Sequence, residues 1–125
     1  MITLQVLNSD STLNSFFIYT NSSFIAGEDV LVRLRLLQVE KKIRYIPDIA
    51  STITFDLKKS DNTTLSKTAT FPFADDRSII EFTITAAESV DVISQTLVAT
   101  IDEPAGISIA KLQYGLKKNV IDQGC

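Results

Sequence analysis

Apolar and polar residues alternate at period two over several short stretches of this chain, the spacing that sends successive strand side chains to opposite faces. From Thr52 to Lys58, Ile53, Phe55 and Leu57 share one face while Thr52, Thr54, Asp56 and Lys58 share the other, which predicts a half-buried strand. Ser78 to Thr85 repeats the pattern, with Ile80, Phe82 and Ile84 set against Glu81, Thr83 and Thr85. Val30 to Leu36 places Val30, Val32, Leu34 and Leu36 opposite Arg33 and Arg35, but Leu31 and Leu37 fall on the arginine side. That strand is expected to be covered on both faces. Thr64 to Phe71 alternates as well, with Leu65, Ala69 and Phe71 on one side and Lys67 at an apolar position. An inward lysine marks an edge strand. Between Lys58 and Thr64 the run Ser60-Asp61-Asn62-Thr63 is rich in residues that bond their own backbone, so a hairpin is expected there.

Four further stretches, Ile2 to Leu7, Ser15 to Thr20, Gln95 to Ile101 and Ile107 to Tyr114, carry the β-branched and aromatic residues that favour strands. In the last of them Ile107 and Ile109 share a face, whereas Ala110, Leu112 and Tyr114 take the opposite parity, which predicts a bulge near Ile109. Helix is confined to one place: Thr85-Ala86-Ala87-Glu88 has the form of a capping box ahead of Val90, Val92 and Ile93. From Glu40 to Ala50 no period is visible; Pro47 rules out a central strand, and Tyr45 and Ile46 are placed to tuck over a sheet end. The sum is an all-β chain, an antiparallel sandwich of the immunoglobulin-like or jelly-roll-like kind with about seven or eight strands. At most one short helical turn, near Ala86 to Val90, belongs to it. One domain over residues 1–125 is expected, with a short C-terminal tail from about residue 117.

Composition narrows the chemistry more than the architecture. With 45% hydrophobic and 22% charged residues the chain has the balance of an ordinary globular domain. A net charge of -3 argues against nucleic acid as a partner, because Lys and Arg supply that affinity. The start, Met1-Ile2-Thr3-Leu4-Gln5, lacks the charged and apolar regions of an export signal, and no apolar run is long enough to span a bilayer. Neither export nor membrane association is expected. Histidine is absent, which removes the commonest general base and metal ligand, and the single cysteine, Cys125, can make no intrachain disulfide. Adjacent acids occur at Glu28-Asp29, Asp75-Asp76 and Asp102-Glu103; all three read as loop residues rather than as the facing carboxylates of a glycosidase or a calcium loop. Gly27, Gly106, Gly115 and Gly124 stand apart and read as turn residues, not as a phosphate cradle. No enzyme activity, cofactor or metal is expected.

Two surface features remain. Arg33, Arg35, Lys41, Lys42 and Arg44 form the one basic cluster, suited to an acidic patch on a protein neighbour, and Lys67 joins them as a candidate docking residue. Phe16, Phe17, Tyr19 and Phe24 form the densest aromatic group and are assigned to core packing. Tyr19, Tyr45 and Tyr114 are the stacking platforms that a carbohydrate-binding or adhesive module would use.

The strand Ile53-Thr54-Phe55-Asp56-Leu57-Lys58, the turn Ser60-Asp61-Asn62 and the run Phe82-Thr83-Ile84-Thr85-Ala86-Ala87-Glu88-Ser89 resemble the β-sandwich domains of bacteriophage tail, baseplate and fibre proteins. The resemblance covers roughly Thr52 to Ile101. Where such domains often open the next strand with Gly and an aromatic, this chain has Ser94-Gln95-Thr96. The resemblance implies a structural or adaptor component of a virion, made in the host cytoplasm. It further implies assembly with copies of itself and with other structural proteins of the particle, and it carries over no catalytic residue.

Overall fold

A computed structural model describes residues 2–6, 22–41, 43–112 and 115–119. The expected strand Ser15 to Thr20 lies outside the described residues, as do Phe16, Phe17, Tyr19, Lys42, Tyr114, Gly124 and Cys125. The elements run β1 (Ile2–Val6), β2 (Ser22–Ile25), β3 (Val30–Gln38), β4 (Thr52–Lys58), β5 (Thr64–Thr68), β6 (Ile79–Ile84), α1 (Ala86–Asp91), β7 (Val98–Glu103), β8 (Gly106–Leu112) and β9 (Leu116–Asn119). The strongest alternation gave the cleanest strands. In β4 every second residue, Ile53, Phe55 and Leu57, is buried, and β3 buries Val30, Val32, Leu34 and Leu36 in the same way.

Seven strands form one sheet in the order β5-β4-β7-β8-β1-β3-β6, and β2 pairs with β9 in a second, two-stranded sheet. The large sheet curls until its outer strands β5 and β6 approach, so that β5, β4, β7 and β8 form one layer and β1, β3 and β6, continuous with it through the β8–β1 pairing, the other. Its far edges come together where Thr70 and Glu81 exchange backbone hydrogen bonds of 2.9 and 3.0 Å. Between the layers lie Ile53, Phe55, Leu57, Ala99 and Ile101 from one side and Leu4, Val32, Leu34, Ile80 and Phe82 from the other, all buried. The rings of Phe55 and Phe82 meet across the middle with centroids 4.5 Å apart. Strand pairing within the layers is antiparallel, while β1 joins β8, and β2 joins β9, in parallel. This connectivity is that of an immunoglobulin-type sandwich, without the inter-sheet disulfide and tryptophan of antibody domains, since the chain has one Cys and no Trp.

The capping box forms as the sequence predicts. The Thr85 side chain accepts from Glu88 N–H at 3.3 Å and the Glu88 carboxylate accepts from Thr85 N–H at 2.9 Å. Lys67 sits on the inward parity of β5, at the end of the sheet order, and its Nζ donates to Glu88 Oε1 at 2.6 Å. That bond, with the Thr85 backbone bond, holds the Glu88 carboxyl below the usual range. The edge lysine therefore ties β5 to α1.

Three local expectations are corrected. No bulge occurs at Ile109: the β7–β8 register runs unbroken from Val98↔Lys111 to Glu103↔Gly106. Ile107 and Ile109 simply face outward, 67% and 47% exposed. The break comes later. Leu112 N–H donates to Leu97 O, but the next exchange joins Leu116 to Gln95, so four steps on one side match two on the other. An insertion of two residues preserves parity and keeps both Leu112 and Leu116 buried. Gly115 serves this detour at φ +83°, where a Cβ would stand 3.4 Å from the Gln95 carbonyl oxygen. Asp102 and Glu103 lie in β7 rather than in a loop. Finally, residues 116–119, where the tail was expected to begin, form a strand.

Candidate functional site

Three connections meet at one end of the sandwich: residues 39–51 after β3, 69–78 after β5 and the turn 104–105 after β7. The Arg77 guanidinium donates to the carbonyls of Asp48 and Ile49, at 3.4 Å each, joining the first two connections. Asp48 N–H donates to Glu103 Oε2 at 3.1 Å, joining the first to the third. In the first connection the chain turns back on β3: Gln38 N–H donates to Ile43 O, Tyr45 N–H donates to Leu36 O, and Pro47 is buried.

The arginines predicted as a docking strip share this end and the outer face of β3. Each is matched to acid. Arg33 faces Glu81 in register, with Nη2 2.9 Å from Oε2, and stacks on Phe73 at 5.1 Å. Arg44 Nη1 and Arg35 Nη2 both approach Asp76 Oδ2, at 3.2 and 3.6 Å. Asp76 Oδ1 is taken by the Ser78 hydroxyl at 2.5 Å and the Ser78 N–H at 3.2 Å. The Ser78 hydroxyl bond, its N–H bond and the two guanidiniums hold the Asp76 carboxyl below the usual range. The loop Phe71–Ser78 thus lies over the arginine face of β3 at Arg33 and Arg35, with Phe71 stacked under Arg77 at 3.9 Å, while Leu37 on the same parity lines an open groove.

Lys41 is exposed in the turn after β3. Lys67 belongs to the opposite layer and to Glu88, so it is not part of this cluster. The cluster is an interleaved set of ion pairs rather than a bare positive strip. Sequence reading missed Asp76 and Ser78 as its organising residues, although Asp76-Arg77-Ser78 has the spacing at which an Asp side chain bonds backbone two residues on.

Beside the arginines runs an open groove of about 950 Å³, lined by Thr3 and Gln5 of β1, Arg35, Leu37 and Gln38 of β3, and Val39, Ile43 and Arg44 of the turn. A smaller hollow of about 360 Å³, bounded by Ile2, Glu40, Lys41 and Tyr45, shares Gln38 and Val39 with the groove.

Tyr45 is half-buried against the core, and its hydroxyl donates to Glu103 Oε1. It is therefore not a free stacking platform. Burial first, then the hydrogen bond and charge of Glu103, push its hydroxyl up to about 12 from 10.0. A folded-state value above the unfolded one favours the protonated form, so this contribution to stability is complete below pH 10 and is lost as pH rises toward 12. Tyr45→Phe is expected to flatten the alkaline limb of a Tm-against-pH profile; an unchanged limb rules the contact out as its cause.

Among the described residues no group of three or more Asp, Glu or Cys side chains could hold a metal ion, and no helix is long and apolar enough to cross a membrane. No protein-family model matches the sequence, and no curated protein is similar to it in sequence. Among solved structures the chain is similar to the crystal structure of the RIG-5 IG1 homodimer, at 12% identity and a TM-score of 0.46, over 94% of this chain and 99% of that one.

Proposed function

We propose that this chain is a non-enzymatic assembly domain, a structural or adaptor component of a virus particle that docks on protein neighbours through its loop end. The observation that carries the docking role is the distribution of exposed apolar side chains. Ile43, Ile46 and Ile49 project from the 39–51 connection, Phe73 from the next, and Ile107 follows the third. Val90 and Ile93 are exposed at the other end, beside α1, but the larger group of exposed apolar side chains lies at the loop end among ion pairs, which fits a surface that is covered by a partner. The virion assignment rests on the resemblance of the Thr52 to Ile101 stretch to phage sandwich domains.

The double substitution Ile46→Asp, Ile49→Asp tests it. Both residues are highly exposed, at 63% and 83%, so each change is expected to alter stability by no more than about 0.5 kcal/mol. Incorporation of the variant into purified particles is expected to fall at least about tenfold, as for central interface anchors. Particles that contain no wild-type chain, or that accept the variant normally, overturn the proposal.

A further inference from the structure

We infer that the groove between β1, β3 and the turn after β3 is a recognition site for an acidic segment of a partner polypeptide, with Arg35 and Arg44 taking an Asp or Glu carboxylate. This rests on the reading of the loop end as a docking surface and specifies its partner's chemistry.

The charges in and behind the groove do not balance. Arg35 and Arg44 both line it, and the carboxylate that serves them, Asp76, offers both the same oxygen. The other Asp76 oxygen is committed to Ser78. Arg35 is the less satisfied of the two: its contact with Asp76 is 3.6 Å, beyond hydrogen-bond range, and its Nε is buried without a partner. A guanidinium carries five donors in a planar fork, and among the described residues the acid that Arg35 approaches is Asp76 alone, at 3.6 Å. Among the described residues no carboxylate lines the groove itself. The neutral polar groups are Thr3, Gln5 and Gln38, while Leu37, Val39 and Ile43 supply an apolar floor.

A carboxylate entering beside Arg35 gains a charge-assisted contact with the exposed part of its guanidinium, and Arg44 closes from the other side; the buried Nε reports that contact without making it. The apolar floor then accepts the side chain next to the acid. A lone anion would use the arginines and leave that floor uncovered, which favours a peptide over a free inorganic ion. Arg33 takes no part, because Glu81 in register and Phe73 over its face occupy it.

The test uses the whole chain and the Arg Nε–H resonances in nitrogen-15 NMR, with the Arg35 signal assigned by its loss in Arg35→Lys. The probe is N-acetyl-Glu-Leu-amide, titrated against N-acetyl-Gln-Leu-amide and inorganic phosphate. A ligand of that size is expected to bind with Kd of about 1 mM, moving the Arg35 Nε–H and the amides of Leu37 and Val39 together. The glutamine probe and phosphate are each expected to bind at least about tenfold more weakly, the difference of one charge-assisted pair. Arg35→Lys keeps the charge and loses the fork, so it is expected to weaken the glutamate probe several-fold, and Arg44→Ala to do likewise; Lys117→Ala on β9 leaves it unchanged.

Equal shifts with the glutamine probe, equal binding of phosphate, or no shift at Arg35 overturns the inference. If the groove fails while Ile46→Asp, Ile49→Asp still blocks incorporation, only the partner chemistry falls. If the probe binds as expected and that variant assembles normally, the assembly role falls instead.

Discussion

Phe55→Ala is expected to destabilise the fold by about 3–5 kcal/mol, the range for a phenyl ring deleted from a core that cannot collapse around the void. Phe55 is fully buried in β4, whose two neighbours β5 and β7 are bonded along its length. Its ring meets that of Phe82 from the opposite layer, so the deletion removes contacts that hold the two layers together as well as those within one. Neighbouring strands cannot move inward to fill the space without breaking the register that joins Phe55 to Lys67 on one side and Ala99 on the other. Domains of this size hold about 5–15 kcal/mol in total, so one substitution consumes a large share of it. Equilibrium urea unfolding is the measurement, with the midpoint falling and the m-value unchanged. Ile109→Ala on the outer face of β8 is the comparison, expected within about 0.5 kcal/mol. A loss below about 1 kcal/mol for Phe55→Ala means the layers do not share a packed core there.

The parts of this fold that could be read from sequence are those where a period of two persists for three or more turns of the pleat. β3, β4 and β6 each set hydrophobic residues against threonine or charge, and each appears where the pattern puts it, within two residues at either end. β2 and β9 could not be read. Each spans four residues; β2 buries Phe24 and β9 buries Leu116, and a single anchor defines no period. They exist because each completes the other's backbone bonding in parallel, a relation between positions some ninety residues apart that leaves no local trace.

The same division holds at the loop end. Composition singled out Arg33, Arg35 and Arg44, and β3 alternation placed Arg33 and Arg35 on one face. Their partners were invisible: Glu81 is assigned by strand register, and Asp76 by a loop that folds back over β3. The false bulge at Ile109 has the opposite cause. Isoleucine was read as inward by type, whereas Ile107 and Ile109 lie outward beside Asp102 and Thr100 of β7. An apolar side chain turned to solvent breaks the pattern that a sequence reading depends on.

Ser89→Ala is expected to cost about 1–3 kcal/mol, more than Thr85→Ala at about 1 kcal/mol, although one hydroxyl is removed in each case, from within a short helix and from its cap. Thr85 caps α1 from an exposed position, where water can replace it. Ser89 is fully buried, and its Oγ does two things at once: it donates to Ala86 O at 2.8 Å and accepts from Gly27 N–H at 2.8 Å. The second bond spans sixty-two positions and fastens the connector between the layers to the turn that launches β3. Asp29 strengthens the same junction by accepting from Ala86 N–H at 2.6 Å. Alanine in place of Ser89 keeps the helix propensity and removes the Gly27 N–H's acceptor, so the loss lies in the long-range bond rather than in the helix. The run Thr85-Ala86-Ala87-Glu88-Ser89 thereby acquires a physical reason for each polar member: a cap, its reciprocal acid that also holds Lys67, and a buried staple to a distant turn. Hydrogen exchange separates the cases. Ser89→Ala is expected to speed exchange at Gly27 by about tenfold or more, the equivalent of 1.4 kcal/mol, while Thr85→Ala leaves Gly27 protected. Equal protection at Gly27 in both variants removes the staple from the account and leaves Ser89 as a small residue that merely fits.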